Sequence, residues 1–127
     1  MLVEMAIVVP IFLLIVWCVI DFSRAYSTFN TLATAVREGA RFAAVQKDPC
    51  LAATVAAIKT KVKGAGPTGA DSIADIKITV TPCPTVDRVT VSVTGYVWRI
   101  TTPITFIPGG QITMNKAATF RWERQAN

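Results

Sequence analysis

The chain of 127 residues has no histidine. That removes the usual general base near neutral pH and the commonest metal ligand. Its eight acids form no recognisable pair. Glu4 and Asp21 lie in the apolar N-terminal stretch and at its edge, while Glu38 is flanked by Arg37 and Arg41. Asp48, Asp71 and Asp87 fall in turn-forming stretches, Asp75 opens a strand pattern, and Glu123 lies between Arg121 and Arg124. A phosphate loop is also missing, because GAGPTG is broken by Pro67 and lacks the strand and helix that such loops need. No catalysis, cofactor or metal site is expected from this inventory. Thirteen basic residues leave a net charge of +5, but Arg37, Arg41, Lys59, Lys61, Lys63, Arg121 and Arg124 are scattered and not interleaved with aromatics. Nucleic acid is therefore not an expected partner.

A secretory signal is missing too, since no basic n-region precedes the first apolar run and no small-residue cleavage site follows it. The run is expected to be kept, with Met1 either a true start or the first residue left after a basic leader is cut away. Sixteen apolar residues follow one another from Met5 to Ile20. With Met1 to Val3 they approach the roughly 20 residues that span a bilayer as a helix. Glu4 interrupts them. An ionisable group in such a segment costs about 2.5 to 3.5 kcal/mol on insertion scales unless it is neutralised. The nearest partner in the sequence is the α-amino group of Met1, on the same chain or on a neighbour.

Beyond Ile20 the pattern becomes amphipathic, and the spacing predicts one helix from Met1 to about Gln46. Tyr26, Phe29, Ala33, Val36, Ala40 and Ala43 recur at steps of three and four and form a stripe that can pack on a globular head. Pro10 lacks an amide hydrogen, so a bend or loosened turn is expected at residues 6 to 10, either as a working hinge or as a passive kink. Gly39 costs about 1 kcal/mol in a helix relative to alanine, which points to close packing of another element there. Lys47, Asp48 and Pro49 end the helix. A second helix is predicted over LAATVAAIKTKVKG, with Leu51, Val55, Ile58 and Val62 on its inner face and Gly64 as its stop. The turn-rich loop over 64–74 has no functional reading.

From Asp75 the period changes to two. DIKITVT places Ile76, Ile78 and Val80 on one face, PCPTVD makes a turn, and RVTVSVTGYVW continues with Val89, Val91, Val93 and Val97 inward. A last strand, QITMNKAATFRW, places Ile112, Met114, Ala118, Phe120 and Trp122 on one face and Thr113, Asn115 and Thr119 on the other. The fold class is α+β: a long N-terminal helix packed on a small antiparallel three-stranded sheet, with a second short helix. Residues 1–25 read as a hydrophobic membrane or filament-core segment, and residues 26–127 as the head.

Three cysteines divide by context. Cys18, in the apolar run, reads as a small hydrophobe. Cys50 and Cys83 each stand beside proline in the polar part, where a disulfide between loops would staple a small core in an oxidising compartment. The alternative is two unpaired buried thiols, because spacing alone does not prove a bond.

VEMAIVVPIFLLIVWCVIDFSRAY, with Glu4, Pro10, Asp21, Phe22, Arg24 and Tyr26, followed by AVREGARFAAV at residues 35–45, resembles the TadE-type pilins of the tight-adherence branch of the type IV pilus superfamily. The resemblance covers residues 1–46; the C-terminal half is similar only in kind. It implies a precursor cut by a prepilin peptidase and a helix held in the inner membrane. It implies next that the assembly machinery draws that helix into a homo-oligomeric helical filament, with the head in the periplasm and then outside the cell. It makes Glu4 the counterpart of the family's near-terminal glutamate, expected to pair with a neighbour's N-terminal amine. That glutamate usually stands fifth and here it is fourth, so the expectation is a mature chain that begins one residue before Met1, a numbering other than the natural one, or a different register. The expected function is a structural pilin for adhesion or surface attachment. The alternative is a minor or priming pilin, or a single-pass membrane-anchored assembly factor.

Overall fold

The computed structural model describes residues 2–68, 73–74, 77–81, 87–100 and 110–122. Helix α1 runs from Leu2 to Ala44 and helix α2 from Ala52 to Ala65. Strands β1 (Ile78–Thr81), β2 (Arg88–Arg99) and β3 (Gln111–Arg121) form one antiparallel sheet in the order β1-β2-β3. The long helix, short helix and three strands are the α+β arrangement expected from the sequence, similar to a pilin. Strands β2 and β3 lie on α1, and α2 packs beside α1 and touches β1.

Of the expected helix stripe, Val36, Ala40 and Ala43 are buried, but its N-terminal end is rotated away from the head. Leu32, Ala35, Val36, Gly39, Ala40 and Ala43 are buried, whereas Tyr26 is 61% exposed. Two stripes at steps of three and four run side by side along this helix, about one residue or 100° apart. The sheet selects the one with smaller side chains, because the helix can then approach the strands closely. Phe29 is left at the rim, where the Lys116 ammonium sits 3.8 Å from its ring centroid. Lys116 lies between Met114 and Ala118 on the helix-facing side of β3, a position that alternation alone would assign to the core.

Gly39 is the close approach that its sequence position indicated. A methyl group there would overlap Cγ2 of Val62 on α2 and touch Cγ1 of Val91 on β2 at 3.5 Å. Helix α2 differs in two details. Leu51 is its N-cap and is 57% exposed, so the inner face is carried by Ile58 and Val62. Its stop is Gly66, not Gly64. A Cβ on Gly66 would meet Ile73 Cδ1 at 2.6 Å and the Val62 carbonyl at 3.0 Å, while one on Gly64 meets nothing. The residue that must be small is therefore the one beside the core. Ile73 is itself fully buried, which draws the end of the 64–74 loop into that core. Ile76, expected to face inward, lies outside the described residues.

Strand β2 changes face midway. Val89, Val91 and Val93 are buried, as alternation predicts, but Tyr96 and Trp98 then take over and Val97 turns outward at 36% exposure. Thr94 and Gly95 together oppose Asn115, so the register slips by one residue between Val93 and Tyr96. This is a β-bulge, and it inverts the inside-outside assignment beyond it. Gly95 adopts φ of 67°. Its amide donates to Asn115 Oδ1 at 2.7 Å, and its carbonyl accepts a hydrogen bond from the Lys77 ammonium. A left-handed conformation costs a non-glycine residue about 1–2 kcal/mol. Gly95→Ala is expected to lower the unfolding free energy by that amount, read as a lower urea midpoint at unchanged slope, with Gly95→Asn milder because asparagine tolerates this region.

The two ends of the head are tied together. Trp122 donates its indole N–H to the Gln46 carbonyl at 2.9 Å, and its amide donates to the Asp87 carbonyl at 2.8 Å. The end of β3 is thus fastened to the end of α1.

Candidate assembly site

The described side chains from Val3 to Ile20 are all exposed. This part of α1 projects past the head as a rod, and the helix is long and apolar enough to cross a membrane. Cover is what it lacks. Burying a side chain such as Val, Leu, Ile, Phe or Met fully is worth about 1.5–3 kcal/mol, so a rod of this composition is driven towards lipid or other apolar helices.

Glu4 lies in the first turn of α1 and is exposed. A carboxylate near a helix N-terminus is favoured by the amide dipoles there. Met1, its expected partner, lies outside the described residues. Pro10 stands inside α1, which runs unbroken on both sides of it. Cys50 is half-buried after the helix end, its amide donating to Asp48 Oδ1 at 2.9 Å. Cys83 lies outside the described residues, and so does the pairing expected between the two. Cys18 is a free, exposed thiol on the rod.

Asp21 is the residue whose place the sequence did not indicate. Grouped with the rod's edge, it is in fact only 7% exposed, between Ile20 and Phe22, which are both exposed. Steps of four, three and four from Asp21 reach Ala25, Thr28 and Leu32, so it shares the side of α1 that the head covers. Burial of an acid requires partners. Neither Asp21 nor Arg24 stands free. The helical spacing from Leu32 back to Asp21 is the signal the sequence carries for this, masked by the apolar stripe beside it.

An exposed apolar rod carrying one near-terminal acid is continuous with the helix that anchors a small α+β head, an arrangement like that of a pilin. Residues 1–41 match the family model described as TadE-like protein. That match and the apolar helix fit a protein related to Tad pili, anchored by a helix able to span a membrane. No curated protein and no solved structure matches the chain. Among the described residues no group of three or more acids and cysteines is placed to hold a metal ion.

Proposed function

We propose that the chain is a non-catalytic structural subunit of a type IV-like extracellular filament, used in adhesion or surface attachment. The observation that carries this is the uncovered rod from Val3 to Ile20 bearing Glu4, on a segment that matches the TadE-like model. In the membrane the rod is solvated by lipid and Glu4 can reach the interface. In a filament the rods of neighbouring copies replace the lipid, and Glu4 must then be neutralised, which favours the register that brings an amine to it. The head stays in the periplasm until assembly and outside the cell afterwards.

Stoichiometry tests the reading. Filaments sheared from cells are expected to contain this chain as a main component by quantitative mass spectrometry. A trace amount at the filament would point to a minor or priming pilin, and confinement to the membrane fraction to an anchored assembly factor. The same secreted material tests the staple between Cys50 and Cys83. Non-reducing peptide mapping is expected to find them joined, with a bridge over that loop worth about 3–4 kcal/mol in the chain-entropy model. Alkylation of both thiols without reductant rejects the bridge.

A further inference from the structure

The three strands contain no aspartate or glutamate, and their charged residues, Arg88, Arg99, Lys116 and Arg121, are all basic. Lys116 is taken up by the Phe29 ring on the side of the sheet that faces α1. The three arginines are exposed and belong to the other side. Val89, Val91 and Val93 are buried against the helix, which places Arg88 and Thr90 outward, and beyond the bulge the buried Trp98 places Arg99 outward. The hydroxyls of Thr90 and Thr119 meet at 2.8 Å on this outer face, which fixes the side that Arg121 shares two residues further along β3.

Arg88 and Arg121 stand directly opposite each other in the register of β2 and β3. Cβ atoms so placed are about 4.5–5.5 Å apart, and like charges there destabilise a sheet. No acid on any strand offsets the pair, and Asp87, just outside β2, holds the Trp122 amide through its backbone carbonyl. Two guanidinium forks side by side suit a carboxylate, which either can take through paired N–H donors. The next outward pair is Thr90 and Thr119, and Thr81 of β1 lies opposite Thr90. The arginines thus open onto a row of three hydroxyls that crosses the sheet. Arg99 lies roughly 35 Å further along β2, at about 3.3 Å per residue.

Charge and composition together select the partner. Among the described residues the outer face offers Val97 as its one large apolar side chain, too little to enter a bilayer. Tyr96 and Trp98, the aromatics of β2, are buried on the inner side, so nucleic-acid bases find no ring to stack on. A polymer of sugar acids matches what is present, with carboxylates for the arginines and hydroxyls for the threonines.

We propose that the outer face of the sheet binds an acidic polysaccharide, with Arg88 and Arg121 holding a carboxylate and the threonine row meeting the sugar hydroxyls. The proposal rests on the filament reading, which puts this face outside the cell, and names the class of surface to which the head attaches.

The full chain in detergent, immobilised on a sensor, is offered polygalacturonate, uncharged dextran and double-stranded DNA at one ionic strength. Polygalacturonate is expected to bind about tenfold or more tighter than DNA, and dextran not to bind. Arg88→Gln with Arg121→Gln is expected to lower the polygalacturonate affinity about tenfold or more. The same pair is expected to raise the melting temperature, because the facing charges are gone. Arg88→Lys with Arg121→Lys keeps the charge without the fork and falls between. Arg37→Gln with Arg41→Gln removes equal charge from exposed positions of α1 and leaves the affinity within about twofold. Four results overturn the assignment of this face and leave the filament reading standing: no binding of polygalacturonate, DNA bound as tightly, equal losses in the two glutamine pairs, or a loss that comes with a lower melting temperature. Absence of the chain from sheared filaments, with polysaccharide binding intact, overturns the filament reading alone.

Discussion

Glu4→Lys leaves the head folded and removes the chain from filaments. The head is insulated from the change because the described rod, from Val3 to Ile20, is exposed throughout and contributes nothing to the core. Assembly is not insulated. If Glu4 pairs with an amine in a water-free helix bundle, reversal places two cations together where one ion pair stood, and an unpaired buried charge costs about 3–5 kcal/mol. At about 1.4 kcal/mol per factor of ten, that is roughly two to four orders of magnitude in incorporation. Glu4→Gln keeps a hydrogen-bonding group without the charge and is expected to fall between wild type and Glu4→Lys. Partition of the chain between membrane and sheared fractions, read by immunoblot, measures the loss, and circular-dichroism melting in detergent confirms the head. Normal filament yield for Glu4→Lys removes Glu4 from any role in register.

The second large effect is at Gly39. A methyl group there gains about 1 kcal/mol of helix propensity but overlaps Val62 Cγ2, in the contact that joins α1 to α2. Overpacking of a filled core costs about 1–3 kcal/mol for small additions. Gly39→Ala is therefore expected to come out up to about 2 kcal/mol less stable, and Gly39→Val about 3 kcal/mol or more, since a branched side chain also meets Val91. Val62 is fully buried, so it cannot swing aside without losing its own packing. Trimming it supplies the space: in Gly39→Ala with Val62→Ala the two costs are expected to sum to less than their separate values by at least 1 kcal/mol. Urea unfolding of the full chain in detergent gives all four corners of that cycle. If the single changes simply add, the helices are not in the contact described.

Much of this was legible along the chain, because the two periods in it are strong. The shift from a step of three and four to a step of two at Asp75 separates helices from strands, and Pro49 with the glycines marks the breaks. Gly39 was legible for a different reason: a glycine in an alanine-rich helix is costly, so something must need the room. The misjudged faces share one cause. Periodicity specifies that a helix or strand has an inner side, but a one-residue rotation of α1 or a one-residue bulge in β2 satisfies the same local preferences. Tyr26 and Val97 were assigned inward on patterns that are locally correct.

Read alone, the sequence determined the rod, its lone Glu4, the element order and the α+β class, since each follows from local composition and spacing. Tertiary structure decided which stripe of α1 meets the sheet, and with it the burial of Asp21 and the exposure of Tyr26. It also decided that Gly95 turns Val97 out and that Gly66, not Gly64, closes α2. These depend on volumes and register between segments far apart in the chain, and no local pattern encodes them.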